Sequence, residues 1–438
     1  MAETVSPRTS TPAISQVMPS VEQEPVKPAR ARIDSIDLLR GIVMVIMMLD
    51  HTRDFVHNAV FLFDPLDPTR TNVWLFFTRW ITHFCAPVFV FLAGTGVYLQ
   101  FARGKTRSDL SRFLVTRGLW LIVLEFTVVR FLCFFNADPR FLGFMQVIWV
   151  IGVSMIVLAA LIHLPLSVVM AFGIALIGLH NLLDTRLNIV QFAGPNSLLP
   201  GVRDKLLMIL HQPGLFPIAG FPSPLLFVLY PLVPWVGVMA VGYAFGALYR
   251  REVRHRRRAL LVIGALATAL FIVIRYSNVY GEPQNWSHQK NALFTFLSFL
   301  NTSKYPPSLL YLLMTLGPAI VALAWFESRN ASLGSRVSRP HWLRNSLVTF
   351  GRVPLFFYLL QWLTSHTIAV VLHLSFGKPV RWLFQAPVDW FSQPPQGNGF
   401  NLAVVYASWI AGVLLLYPLC KWFAGVKQRR RDWWLSYL

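Results

Sequence analysis

An imidazole and a guanidinium share one face of the first long apolar segment, and together they could carry group transfer. Residues 36–54 read IDLLRGIVMVIMMLDHTRD, which puts Arg40 and His51 eleven residues apart. On a helix that spacing leaves them about 20° from perfect alignment and about 16 Å apart along the axis. Asp37, Met44, Met47 and Asp54 fall near the same face. An arginine can grip a phosphate or pyrophosphate through two parallel hydrogen bonds. An imidazole beside a carboxylate, here Asp50 or Asp54, can take a proton from a hydroxyl or an amine. A phosphate-bearing donor at the Arg40 end and a general base at the His51 end fit a transfer between them, with the two methionines lining an apolar passage. The plainer alternative is that Arg40 and Asp37 reach to one membrane interface while His51 and Asp54 cap the other end.

Such a helix needs partners, and the rest of the chain supplies them. The 438 residues are 55% hydrophobic and only 13% charged, with a mean hydropathy of +0.53. Soluble domains carry roughly 25% charged residues. Apolar runs of about twenty residues, such as 114–135 and 225–248, are long enough to span a bilayer as helices whose backbones satisfy themselves. Helices are expected near 35–56, 80–101, 113–135, 141–163, 165–183, 224–248, 259–277, 307–325, 347–373 and 399–420. Pro165 separates the fourth from the fifth. The expected fold is all-α, a polytopic transmembrane bundle of about ten helices over 32–424. Residues 1–31, rich in Pro, Ser, Thr and Glu, read as a disordered tail. Residues 425–438 read as a basic C-terminus, and no cleavable signal precedes Ile33.

The net charge of +20 suggests nucleic acid until its distribution is read. The cations cluster between apolar runs. Alternate loops and the two termini hold 23 of them, against ten in the opposite loops. That asymmetry predicts no nucleic-acid partner and places both termini in the cytoplasm of a multi-pass membrane protein. The outer loops 57–79, 184–223, 278–306 and 374–398 are the long ones, which favours a site open to the outer face. Cys85, Cys133 and Cys420 lie in apolar runs and read as small buried hydrophobes. No metal site is expected: His51 and His57 are six apart, and no HExxH pattern occurs.

Further candidates follow from intramembrane polarity, which is costly and so invites a function. His83, in WITHFCAP at 80–87, could complete the site across a loop from His51, or could simply sit at the interface. Arg112 and Arg117 could form an inner phosphate-binding patch, although loop cations also serve topology and anionic-lipid contact. Gln146 and Trp149, beside Gly152, could line a donor tunnel or the core. Glu125 and Arg130, five apart, could pair. Lys304, Gln361 and His366 are further outer-site candidates.

The stretch SIDLLRG at 35–41, with His51 eleven residues after Arg40, resembles integral-membrane acyltransferases that acylate bacterial surface polysaccharides and carry an Arg-x10-His motif in their first span. The stretch PVFVFLAGTG at 87–96 resembles the related heparan-alpha-glucosaminide N-acetyltransferase family, as do Arg117 and IGVS at 151–154. The likeness covers roughly residues 30–165. Beyond 200 there is only general similarity to bacterial relatives, at YPLVPW (230–235) and NTSKYPP (301–307). The resemblance implies acetyl-CoA or another acyl-CoA entering from the cytoplasm and a sugar or lipid-linked acceptor on the far side. It also implies a bacterial inner membrane location and a histidine that promotes transfer. By motif position that histidine is His51, as general base or acyl carrier, with Arg40 its partner. In the heparan enzyme the acting histidine lies further along, in the loop after the first span, and His57 is nearest to that place. The sequence leaves the choice between them open, as it does assembly into a homo-oligomer. Two other classes of function remain: a secondary transporter or flippase using His, Arg and Asp without chemistry, and a non-catalytic membrane scaffold.

Overall fold

The computed structural model describes residues 1, 2, 33–60, 62–192, 194, 196–221, 223–332, 342–390, 396–430 and 432–437. Its helices and strands fall within Asp34–Leu438, which forms one unit by its own contacts. The expected tail, 1–31, lies almost wholly outside the described residues.

The chain opens with α1 (Asp34–Val56), whose first turn holds Asp34 and Asp37 and whose last turn holds Arg53. That order of charge complements the helix dipole. α2 (Val73–Trp80) is capped by Asn72, which accepts from the Leu75 amide at 2.9 Å. It continues through a tight turn at Ile81–Phe84 into α3 (Cys85–Ala102). α4 (Arg107–Leu124) starts at a Thr106–Asp109 capping pair, passes through a π-helical turn at Glu125–Val129 and ends as α5 (Arg130–Phe134). Strand β1 (Phe141–Met145) leads into α6 (Val147–Leu161), and Pro165 introduces α7 (Leu166–Leu179). Then come α8 (Val202–Leu210), β2 (Gly214–Pro217), β3 (Leu225–Val228), α9 (Leu232–Phe245), α10 (Val253–Ser277), α11 (Ala292–Leu300) and α12 (Leu309–Ser332). α13 (Trp342–Arg352) breaks at Val353 before Pro354, which opens α14 (Pro354–Ser375). A short α15 (Pro387–Trp390) precedes α16 (Leu402–Arg429).

Each of the ten expected segments contains a helix. Seven are long and apolar enough to cross a membrane by length and composition. The other three miss that measure for visible reasons: α1 and α4 carry charge, and α6 is only 15 residues long. Helix ends shift, as where α4 and α10 begin earlier and α12 and α16 end later, and three segments differ in kind. Segments 141–163 and 224–248 begin as strands, and 347–373 is two helices divided at a proline. The strands form one small sheet in the order β1–β3–β2, with β1 parallel and β2 antiparallel to β3. Met208, Phe216, Leu226 and Val228 pack together against it. The basic C-terminus expected from 425 begins inside α16.

α1 is the axis of the bundle, packed against α3, α12, α13, α14 and α16. Glycines make the tightest crossings. A Cβ on Gly41 would lie 1.8 Å from the Leu347 carbonyl oxygen of α13, and one on Gly351 would lie 1.8 Å from the Asp37 carbonyl of α1. Gly94 and Gly242 meet the facing backbones of α9 and α3 in the same reciprocal way, and Gly118 and Gly152 those of α6 and α4. Gly173 with Gly237 and Gly264 with Gly317 repeat the arrangement between α7 and α9 and between α10 and α12. Small residues at membrane helix crossings let backbones approach and gain van der Waals contact. Gly351→Leu should therefore cost at least ~3 kcal/mol, the upper end for overpacking, and lower the thermal midpoint in detergent. An unchanged midpoint would show that α1 and α13 do not meet there.

Candidate functional site

The far end of α1, where His51 lies, carries a buried ion network. The Asp50 carboxylate accepts from Arg53 at 3.0 Å and from Arg79 at 2.5 Å, with the Lys304 ammonium 3.8 Å away. Arg53 also reaches Asp54 at 2.6 Å. Asp50, Arg53 and Lys304 are buried. Three cations face two carboxylates, so the cluster keeps an excess of positive charge in a low-dielectric place. α2 contributes Arg79, and the loop between α11 and α12 contributes Lys304. In the sequence Lys304 is legible only as an isolated candidate; nothing in the linear order links it to Asp50.

His51 stands beside this cluster, and its ring is stacked on Trp362 at 3.8 Å and 20°. Tyr358 approaches edge-on at 6.5 Å. The residue is partly exposed, and of its two nitrogens only Nδ1 is sealed without a partner. Neither Asp50 nor Asp54 hydrogen-bonds the imidazole. Their oxygens answer to arginines and Lys304, so the ring is oriented by indole stacking, while Asp50, Lys304, Arg79 and Arg53 act on it through space.

α14 supplies the facing wall. Tyr358, Gln361, Trp362, Ser365 and His366 recur at i, i+3, i+4, i+7 and i+8, one face of a helix. Ser365 meets Thr52 of α1 at 3.1 Å, and His366 Nδ1 donates to the Leu132 carbonyl at 2.9 Å. The Tyr358 hydroxyl, both Gln361 amide atoms and the Trp362 indole nitrogen are buried with no hydrogen-bond partner. Unsatisfied buried polar groups are uncommon and call for an explanation. Here they gather on one wall beside a histidine. Tyr358, Trp362 and Ser365 escape sequence reading, although the polar stripe within an apolar helix is a usable signal.

Glu125 lies near Tyr358 of this wall, on the π-helical turn, a feature frequent at functional sites. Its carboxylate accepts the Trp149 amide at 3.0 Å and so caps the start of α6. It does not pair with Arg130, which instead donates to the carbonyls of Phe141, Asn136 and Asp138. Gln146, the residue before α6, lies by the Cys133 thiol.

The remaining candidates separate. His83 is fully buried, with both ring nitrogens unpartnered, its carbonyl taking the Tyr311 hydroxyl at 2.8 Å. It lies within the field of Arg79, Lys304, Asp50 and Arg53. His57, just beyond α1, is a joint rather than a chamber residue. Its Nδ1 accepts the Ala59 amide at 3.2 Å, and its backbone bridges to Phe400. Burial, aided by the Arg53 guanidinium, pushes its imidazole down to about 4 from 6.5. The native state then keeps His57 neutral while the unfolded chain takes a proton below about pH 6.5. Its contribution to stability is full above that pH and is lost as pH falls toward 4. His57→Gln should flatten the fall of the thermal midpoint between pH 6.5 and 4; an identical fall in the variant would rule this source out.

The near end holds the other half of the motif. Arg40 donates to the Leu92 carbonyl of α3 at 2.8 Å and lies 3.6 Å from Asp37. A Cβ on Gly96 would come 3.2 Å from that guanidinium, so the glycines at 94 and 96 divide two tasks: helix contact with α9 and room for Arg40. Arg117 is close enough to feel both Arg40 and Tyr437. Arg112 is exposed. Arg344 and Arg352 flank Asp34, and Arg256 holds Glu327 at 2.9 Å. Of the five donor candidates, Arg40, Arg112 and Arg117 lie on this side, whereas Gln146 and Trp149 lie at the start of α6, near Glu125 and Cys133. Between the two ends Met44 is 0% and Met47 7% exposed. Both methionines of the expected passage are thus buried within the bundle.

Helices long and apolar enough to cross a membrane surround an axis with a basic near end and, at its far end, a histidine beside buried charge. A family profile for the heparan-alpha-glucosaminide N-acetyltransferase catalytic domain matches residues 32–280, more than half of the chain, and the chain belongs to that family of membrane acetyltransferases. Among curated proteins none matches it. The matched region holds Arg40, the Asp50 cluster apart from Lys304, His51 and Glu125; Lys304 and the α14 wall lie beyond it.

Proposed function

We propose that the chain transfers an acetyl group from acetyl-CoA, or another acyl-CoA, at the near end to a sugar or lipid-linked acceptor at the far end. The observation that carries this is His51: partly exposed, clamped by Trp362, and next to buried charge with a positive excess. The acceptor amine or hydroxyl attacks the thioester carbonyl, and His51 takes its proton. Nε2 is the working nitrogen, because Nδ1 is sealed. The cations Arg79 and Lys304 favour the negative oxygen that develops on the carbonyl, the kind of preorganised stabilisation that lowers such barriers most. The C–S bond then breaks, and the CoA thiolate recovers a proton from the imidazolium. A two-step route through acetyl-His51 uses the same groups, with the acceptor arriving second.

Arg40 and Arg117 would hold donor phosphates, with Arg112 at the mouth. The pantetheine arm would pass along the buried Met44 and Met47, and three rotatable bonds let each thioether side chain move aside. The cation asymmetry supports a cytoplasmic near end in a bacterial inner membrane, with both termini inside. The test is vectorial. Protein in liposomes receives labelled acetyl-CoA on the near side and glucosamine on the far side, and label should appear in the sugar. Label appearing only when both are on one side would overturn the reading. Arg40→Ala should raise the KM for acetyl-CoA about 10- to 100-fold, the loss of a hydrogen bond to charge. An unchanged KM would leave Arg40 as a tie to Leu92 alone.

A further inference from the structure

The stretches YPLVPW (230–235) and NTSKYPP (301–307) are far apart in the chain but meet in the fold. Tyr230 and Tyr305 approach edge-on at 5.3 Å and 78°. Lys304 Nζ lies 5.2 Å from the centre of the Tyr305 ring and 3.8 Å from the Asp50 carboxylate. An ammonium on a flexible stem keeps one place only where the backbone beneath it is fixed. Residue 304 lies between α11 and α12, in a connection with no helix or regular strand of its own. Whatever fixes it must be found among its hydrogen bonds.

The outer frame is built on Arg275, a buried arginine in the last turn of α10. Its Nε donates to the Phe299 carbonyl at 3.0 Å and its Nη1 to that of Gln284 at 2.8 Å. Its Nη2 donates to Ser298 at 3.0 Å and to Asn301 at 2.6 Å. The end of α11 and the loop before it are thereby gathered on one guanidinium. The Asn301 amide in turn donates to the Leu66 carbonyl at 3.2 Å. The inner turn is tighter. The Ser308 amide donates to the Ser303 carbonyl at 3.0 Å, and Lys304 pairs with Pro307 in an isolated bridge. Residues 303–308 thus close on themselves, with Lys304 and Tyr305 toward the tip. Glu282 sits at the neck of this loop. Its carboxylate accepts the Ser303 amide at 3.0 Å, the Ser303 hydroxyl at 2.5 Å and the Ser308 hydroxyl at 2.6 Å. Ser308 Oγ also accepts the Tyr311 amide at 3.0 Å. One carboxylate therefore joins both ends of the loop to each other and, through Ser308, to the first turn of α12.

We propose that Glu282 is a positioning residue: it clamps the 303–308 loop so that Lys304 stays against Asp50, and it acts on the reaction only through that lysine. Its effect on turnover rests on the proposed acetyl transfer; its effect on the Asp50–Lys304 pair does not. The division of charge fits this role. Glu282 spends its oxygens on Ser303 and Ser308, while the ammonium is left to Asp50. A second carboxylate bonded to Lys304 would offset the positive excess of the cluster, whereas one that fixes the backbone leaves the excess in place for the developing oxyanion. The family match ends at residue 280, so the clamp and its loop lie beyond it.

The experiment places Glu282→Ala in four backgrounds of the full-length protein in detergent: alone, with Asp50→Asn, with Lys304→Met and with both. Their thermal midpoints, set against the same four with Glu282 intact, give the Asp50–Lys304 coupling with and without the clamp. That coupling should fall by at least half when Glu282 is absent. In turnover, Glu282→Ala should lower kcat about 10- to 100-fold, the effect of displacing a group by about 1 Å, with the KM for acetyl-CoA unchanged. In the Lys304→Met background it should lower kcat no further. Glu282→Gln, which keeps an oxygen for Ser303, should restore most of both. An unchanged coupling, or the same fold-loss of kcat with and without Lys304, would overturn the positioning role. Should Glu282→Ala not fold, Ser303→Ala removes the 2.5 Å hydroxyl bond to the clamp and is read in the same way. The coupling is measured without donor. A protein in which it depends on Glu282, yet which transfers no acetyl group even with every residue intact, would sink the transfer reading and leave Glu282 as the holder of Lys304.

Discussion

His51→Ala is expected to lower acetyl transfer by 10²- to 10⁴-fold, the usual yield of a positioned general base, with little change in acetyl-CoA affinity. Its ring is held by Trp362 rather than by a buried hydrogen bond, so truncation removes a stack without orphaning a partner. The fold should survive, and loss of activity can then be read as chemistry. Release of free thiol from acetyl-CoA, with and without glucosamine, is the measurement. If the imidazole carries the acetyl group, the variant also loses label that the wild type retains after donor is washed away. If it acts only as a base, neither protein retains label. Full activity in the variant would hand the role to another group and remove the main support for the transfer reading. Movement of glucosamine across liposomes without thiol release would point instead to transport.

Asp50→Asn should be the most damaging change to stability at the site. Asp50 is the one group that meets Arg53, Arg79 and Lys304 together. Neutralising it leaves three cations, Arg53 and Lys304 buried and Arg79 nearly so, facing Asp54 alone. Breaking a buried pair by removing one partner costs about 3–5 kcal/mol, because the other charge is left uncompensated. Thermal unfolding in detergent should show the loss. Adding Lys304→Met to Asp50→Asn should recover part of it, since that removes one stranded charge. The recovered fraction gives the interaction energy by a double-mutant cycle. Strict additivity of the two changes would show that Lys304 and Asp50 do not act on each other.

Much of this is legible in the chain, and the limits have physical causes. The α1 stripe can be read because 3.6-residue periodicity fixes which residues share a helical face. The bundle can be read because a bilayer demands long apolar runs. The partners of Asp50 cannot, since Arg79 and Lys304 arrive from different parts of the chain and only folding brings them within reach. Gln146 and Trp149 read as tunnel candidates from their place in an apolar run alone. The chain runs as a strand to Met145, so both residues fall at the capped start of α6. The passage along Met44 and Met47 follows from their shared face with Arg40. A shared face says nothing about what packs on it, and here other helices close over it. The α14 wall is half legible, through Gln361 and His366, while its full polar period hides within an apolar run.

Where glycines bring main chains into contact, there is no cushion of side chains to shear. Helices α4 with α6, α7 with α9 and α10 with α12 are welded at such points and must travel as planks. α14 carries no glycine, and it rests on α1 through side chains alone. Beyond its start near Gly351 it has no such backbone contact with α1, and it bears the wall that faces His51. Any opening beside His51 should therefore be a shift of α14 along its length, leaving the planks still.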